Sequence, residues 1–187
     1  MDLFLKMKET LGDLPIIAED LGFLTDTVRQ LLKDSGYPGM KVLEFAFGGD
    51  RKNPHLPHNY TQNCVVYGGT HDNETLMGYF IEHPDWELGY AYDYLDTRDK
   101  ERMVDQVFRA AYGSVANTVI IQMQDLLYKD STARMNTPST LGINWKWRMK
   151  DGEFTNELRD NLRELTKLYG RSNIKKYFNK EDYMLSN

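Results

Sequence analysis

Two carboxylates in this chain, Glu19 and Asp72, stand where an apolar run passes into a glycine-bearing loop. The first context is Pro15-Ile16-Ile17-Ala18-Glu19-Asp20-Leu21-Gly22, and the second is Val65-Val66-Tyr67-Gly68-Gly69-Thr70-His71-Asp72-Asn73. A carboxylate just past a buried strand, repeated on two strands, is how parallel α/β enzymes assemble acid–base sites. The separation corresponds to about two βα units at roughly 25–30 residues each. Glu19 reads as a general acid kept protonated by a neighbouring carboxylate and partial burial, or as a plain surface carboxylate. The His71-Asp72 pair suits a divalent ion, a polyhydroxylated ligand, or a polar turn in which Asn73 tolerates an unusual backbone. His55 and His58 do not extend that pair into a familiar metal-ligand spacing, so no metal is expected, and no cofactor either.

Further polar loops surround these two. Pro54-His55-Leu56-Pro57-His58-Asn59-Tyr60 is stiffened by two prolines and lines a cleft or forms a rigid connection. Ala133-Arg134-Met135-Asn136-Thr137-Pro138 and Asn144-Trp145-Lys146-Trp147-Arg148 place amides, guanidinium groups and indoles on loops. Two tryptophans so spaced fit packing more readily than ligand stacking. Glu44 lies within an apolar run and either faces a barrel interior or pairs with a cation.

The elements that position these groups follow from periodicity. Leu3 to Leu11 predicts a helix closed by Gly12, and Thr25 to Gly36 a capped second helix. Short apolar runs at 15–18, 41–47, 65–67 and 118–123 predict four strands, the second with Leu43, Phe45 and Phe47 on one face. Helices are expected over 74–81, from a Thr97 cap to Gly113, briefly from Asp125, and late in the chain along Leu158, Leu162, Leu165 and Leu168. Strands alternating with helices predict parallel pairing. A complete eight-stranded barrel needs roughly 200 residues or more, so four strands amount to half of one.

Bulk properties narrow the partners. The chain has 187 residues, 41% hydrophobic and 27% charged, which fits one folded domain spanning 1–187. A net charge of −5 argues against nucleic acid and anionic membrane as partners. No apolar run approaches the roughly 18 residues of a spanning helix. The first residues carry no signal-peptide pattern, and the single cysteine, Cys64, cannot form an internal disulfide. A cytoplasmic protein is therefore expected. Twelve Tyr and three Trp are available as stacking platforms, though cores use them equally.

Taken together, Ile17-Ala18-Glu19-Asp20-Leu21-Gly22, Pro38-Gly39-Met40-Lys41-Val42-Leu43, Leu56-Pro57-His58-Asn59-Tyr60, Gly69-Thr70-His71-Asp72-Asn73 and Ala133-Arg134-Met135-Asn136-Thr137-Pro138 resemble the 4-α-glucanotransferases (amylomaltase, or disproportionating enzyme), and Asn144-Trp145 with Trp147-Arg148 fits as well. The resemblance implies the α-amylase clan of glycoside hydrolases, a (β/α)8 TIM barrel, and retaining transfer of an α-1,4-glucan segment to the 4-hydroxyl of an acceptor sugar. It implies that this chain is the C-terminal half of that barrel, about strands five to eight with the closing helices. By the same resemblance Glu19 matches the acid/base and Asp72 the supporting aspartate. His71, Asn73, His58, Asn59 and Asn136 match substrate-binding positions, with maltooligosaccharides as the ligand. The family's nucleophile lies upstream of the glutamate in an Arg-x-Asp motif, and no such motif precedes Glu19 here. The isolated chain is accordingly expected to be inactive, or to act as a glucan-binding module. Glu74 stands where the family often has Asp, a change expected to matter little. A half barrel leaves strand edges open, so a homodimer through those edges is also expected.

Overall fold

The structure, a computed structural model, describes residues 1–173. The end of the domain expected over 1–187 therefore lies outside the described residues. Three strands, β1 (Gly39–Val42), β2 (Cys64–Tyr67) and β3 (Thr118–Ile120), form one sheet in the order β1-β2-β3. Both pairings are parallel, and Val42, Tyr67 and Ile120 fall in register at the carboxyl ends. Among the described residues there are seven α-helices: α1 (Asp2–Leu11), α2 (Asp26–Ser35), α3 (Leu76–Glu82), α4 (Gly89–Leu95), α5 (Lys100–Gly113), α6 (Met123–Leu126) and α7 (Asn156–Leu168). The molecule is thus α/β with a parallel sheet.

The caps explain most helix boundaries. Thr25 accepts from the Val28 amide and Gly36 closes α2 in the left-handed region at φ 71°. Thr75 starts α3 by accepting from the Gly78 amide, and Thr155 starts α7 by accepting from Leu158. The expected Thr97 cap is corrected: Asp99 caps α5 by accepting from the Arg102 amide at 3.0 Å, while Thr97 Oγ1 accepts from the Asp99 amide. Helix α4 was not foreseen, because it begins at Gly89 without a side-chain cap. The core joins Val66 of β2 to Leu76 and Phe80 of α3, Leu88 and Ala91 before and within α4, and Met103, Val104 and Val107 of α5. The apolar stripe of α7 closes over it through Leu158, Leu162 and Leu165.

Two strand expectations are corrected. Residues 15–18 form no strand; the Ala18 amide donates to Pro38 O at 2.9 Å and the ladder goes no further. Pro38 has no N–H to return a bond, and the Met40 amide donates instead to Asp20 Oδ1 at 2.6 Å. The second expected strand ends at Val42, the second residue of the 41–47 run, and Leu43–Phe45 turn as a 3₁₀ helix. The Asn53 side-chain amide takes the Phe45 and Ala46 carbonyls, so these residues have no need of a sheet neighbour. Leu43 and Phe47 are buried while Phe45 turns out to 43% exposure, so the three do not share a face. The fourth run is also shorter than expected, stopping at Ile120 before α6.

Candidate active site

The carboxyl ends of the strands open into a cleft of about 660 Å³ lined by Glu19, Tyr67, His71, Asp72, Asn73 and Gln122, among others. Glu19 and Asp72 thus meet at one mouth of one parallel sheet. Glu19 is exposed, which corrects the expectation of partial burial. Its neighbour Asp20 holds the segment in place: Asp20 Oδ1 accepts from the Met40 amide, and a Cβ on Gly39 would lie 2.6 Å from Asp20 Oδ2. Only glycine at position 39 lets that carboxylate lie flat on the strand.

Asp72 is set by a denser network. The loop from Thr70 to Asn73 is closed by Asn73 Oδ1, which accepts from the Thr70 amide at 3.0 Å and the Thr70 hydroxyl at 2.7 Å. That leaves the Asn73 Nδ2 group as its remaining polar end. Asn136 Nδ2 donates to Asp72 Oδ1 at 2.6 Å, and the Asn136 amide donates to His71 O at 3.0 Å. Arg134 Nη2 donates to Asp72 O at 2.7 Å, its Nε donates to Asn136 O, and its Nη1 pairs with Glu74 Oε2 at 3.1 Å. One guanidinium therefore ties the Asp72 backbone, the Asn136 backbone and Glu74 together. His71 Nε2 lies 3.4 Å from Asp72 Oδ1, and its ring packs against Trp145 with centroids 4.9 Å apart. Trp145 sits in the left-handed region at φ 64°, held by its amide donating to Met135 O at 2.7 Å. A bulky residue kept there costs about 1–3 kcal/mol and marks a position fixed by its surroundings.

Beneath this loop lie two carboxylates whose placement sequence reasoning left open or missed. Glu44 is buried, with Oε1 unpartnered among the described residues; burial first, then the charges of Asp125 and Glu74, push it up to about 9. Of the two readings left open for Glu44, pairing with a cation is not seen among the described residues: Arg134 pairs with Glu74. Asp125 is fully buried; its Oδ1 accepts from the Leu76 amide at 2.8 Å, its Oδ2 is unpartnered among the described residues, and burial pushes it up to about 7. Gly68 and Gly69 run between them. A Cβ on Gly69 would meet Glu44 Oε1 at 2.5 Å, and one on Gly68 would meet Leu76 Cδ1 at 2.9 Å. Gln122, just past β3, was also missed; its Nε2 donates to Thr70 O at 3.0 Å. Its strand-end position is the same signal that picked out Glu19 and Asp72.

His58 and Asn59 are not brought to this cleft. His58 contacts Tyr94 OH and Arg51 O, and Asn59 Nδ2 donates to the Arg51 and Asn53 carbonyls. The bonds to Arg51 and Asn53 fold the segment before β2 onto itself, and His58 also ties it to Tyr94 of α4. Among the described residues no three His, Cys, Asp or Glu side chains gather as a metal site, and no helix there is long and apolar enough to cross a membrane.

Residues 1–155 match the family model described as 4-alpha-glucanotransferase. The chain belongs to the 4-alpha-glucanotransferase family. It is 50% identical over 172 residues to the 4-alpha-glucanotransferase of Clostridium butyricum, covering 91% of this chain and 35% of that protein. The chloroplastic/amyloplastic 4-alpha-glucanotransferase of Arabidopsis thaliana is 46% identical over 172 residues, covering 90% of this chain and 30% of that protein. Among solved structures, the amylomaltase from Streptococcus agalactiae in complex with acarbose superposes with a TM-score of 0.85 at 43% identity, over 92% of this chain and 35% of that one. The chain thus spans about a third of the length of the relatives it matches.

Proposed function

We propose that this chain supplies the acid/base and the supporting carboxylate of a retaining α-1,4-glucan transfer site, as the C-terminal half of a (β/α)8 barrel in which β1, β2 and β3 are neighbouring strands. The observation that carries this reading is the shared cleft of Glu19 and Asp72 at the carboxyl mouth of a parallel sheet. The leaving glycosidic oxygen needs a proton, which Glu19 is placed to give. Its exposed carboxyl in an open cleft awaits substrate, and substrate supplies the burial that the free chain lacks. The oxocarbenium-like transition state carries positive charge, which the fixed anion of Asp72 stabilises. Asn136 and Arg134 hold that anion before the charge develops, so no reorganisation is required at that moment. His71, backed by the Trp145 ring, presents its imidazole to sugar hydroxyls. The acarbose complex of the related amylomaltase supports a saccharide as the ligand.

Glycosyl-enzyme formation requires a nucleophilic carboxylate, and the family's Arg-x-Asp motif does not precede Glu19 in this sequence. Alone, the chain therefore binds glucan without turning it over. Two measurements test this. Incubation with maltotriose should release no glucose above a blank, and calorimetry with maltooligosaccharides should give a heat of binding that Asp72→Ala removes. Robust disproportionation by the isolated chain, or binding unaltered by Asp72→Ala, would reject the reading. The single cysteine, Cys64, which can form no internal disulfide, supports a reducing, cytoplasmic setting.

A further inference from the structure

The 3₁₀ turn Leu43–Phe45 just past β1 is fixed from several sides. Leu43 and Ala46 are fully buried, the Ala46 amide donates to Leu43 O at 2.9 Å, and Asn53 takes the Phe45 and Ala46 carbonyls. The Glu44 amide donates across to Gly68 O at 3.1 Å, which ties the turn to the chain just past β2. Glu44 therefore projects its side chain from a rigid base.

That side chain ends against Gly69. Glu44 is 7% exposed, and its Oε1 has no hydrogen-bond partner among the described residues. A Cβ on Gly69 would lie 2.5 Å from Glu44 Oε1 and 3.2 Å from Asn73 Cβ, so the carboxyl and Asn73 close on the same face of this glycine. Asn73 Oδ1 in turn takes the Thr70 amide and hydroxyl, and the loop so closed carries His71 and Asp72. One carboxyl on a rigid turn thus backs the loop that presents Asp72. Leaving a buried polar atom without a partner is costly, and here that atom fills the space behind the loop.

The groups that face Glu44 leave its charge uncompensated. They are Asp125 of α6, Glu74 before α3, Tyr79 of α3 and Arg134 of the loop after α6. Arg134 already serves Asp72 O, Asn136 O and Glu74 Oε2. Tyr79 stays neutral, since burial pushes it up to about 12. Burial and the two neighbouring acids hold the Glu44 proton on until about pH 9. A neutral carboxyl can lie in a dry site against glycine backbone; an anion there draws in water or moves out.

We propose that Glu44 is a positioning residue for the glucan-transfer site: its carboxyl backs Gly69 and holds the Thr70–Asn73 loop, and through it Asp72, toward the cleft. This rests on the reading of Asp72 as the supporting carboxylate. The sign follows from the raised value. The neutral form, present below about pH 9, keeps the loop set, and ionisation above it slackens the loop.

The test follows the Thr70 methyl and the Asp72 carboxyl carbon by NMR from about pH 7 to about pH 10.5, with maltoheptaose calorimetry alongside. At the lower pH, Glu44→Gln, of nearly the same shape, should leave both signals and the affinity unaltered. Glu44→Ala should shift both signals and weaken affinity about fivefold. In the native chain the two signals should move together with a midpoint near 9. Glu44→Gln should lack that step, and Asp125→Asn, which removes a facing negative charge, should bring it to lower pH. A step that survives Glu44→Gln overturns the positioning role, as does Glu44→Ala leaving both signals in place. Should Glu44→Ala lose its dispersed spectrum, the step in the native and Glu44→Gln chains decides alone. No heat from the native chain at any pH overturns the glucan reading, while the two signals still judge the loop.

Discussion

Asn136 donates its side-chain amide to Asp72 Oδ1 at 2.6 Å, across 64 residues of sequence. The contact joins the loop after β2 to the loop after α6. Each supplies half of one constellation: Asp72 the charge, Asn136 the donor that fixes its direction. Asn136→Asp replaces that donor with a second anion. At pH 7 it should lower stability by about 1 kcal/mol, discounted for the half-exposed position. In about 1 M salt, which screens the repulsion between the two carboxylates, the difference should shrink. Urea unfolding of both chains at low and high salt checks this; an equal loss at the two salt concentrations rejects the charge argument.

Arg134 serves three acceptors at once, so its removal strands Glu74. Arg134→Met keeps the aliphatic reach but leaves the Glu74 carboxylate without its ion pair. The expected loss is about 1–3 kcal/mol, or roughly 2–12 °C in Tm at the roughly 2–4 °C per kcal/mol of a chain this size. Differential scanning calorimetry decides it. The double change with Glu74→Gln should cost less than Arg134→Met alone, because no orphan charge then remains.

The buried carboxylates set a pH dependence whose sign is unusual for acids. Glu44 is pushed up to about 9 and Asp125 to about 7, so the folded chain holds protons that the unfolded chain has released. Their contribution is full below the unfolded values, near pH 4, and is lost as pH rises through 7 and then 9. Stability should fall across pH 5 to 9. Glu44→Gln, uncharged at every pH, should flatten the alkaline part of that fall. A Tm profile unchanged by Glu44→Gln would show that this group does not titrate there.

Gly69 has no room for a side chain. Gly69→Ala sets a methyl 2.5 Å from Glu44 Oε1 and 3.2 Å from Asn73 Cβ. A loss of about 1–3 kcal/mol is expected. Shortening the obstructing residue with Glu44→Ala in the same chain should recover part of it, read by the same unfolding curves.

The described strands leave the outer edges of β1 and β3 without a strand neighbour. Ile120, 40% exposed at the end of β3, lies on one such edge. Association through these edges predicts a dimer in light scattering at high concentration, and Ile120→Lys should shift it toward monomer. A strictly monomeric native chain would end this proposal.

Much of the scaffold was legible from local chemistry. Thr25 and Gly36 bound α2 as read, because a hydroxyl cap and a left-handed glycine act within one turn of the chain. Parallel pairing followed from alternation of strand and helix. The Pro15–Ala18 run was misread because its apolar character says nothing of Pro38, whose missing N–H interrupts the ladder from the other side. The Leu43–Phe47 run was misread for a similar reason: Asn53, later in the chain, takes the carbonyls that a neighbouring strand would have used.

The site divides in the same way. Residue type and position just past an apolar run were enough to bring Glu19, His71 and Asp72 into view, since those depend on short stretches of chain. Which groups would surround them was not so encoded. That Asn136 reaches Asp72, that His58 and Asn59 turn away to hold their own loop, and that Arg134 chooses Glu74 over Glu44 depend on backbone brought together over tens of residues. Sequence alone determined which side chains can ionise and where caps and glycines bound the helices. Only tertiary packing decided which charges are buried, which are paired and which face a common cleft, because desolvation and hydrogen bonding depend on distance in space.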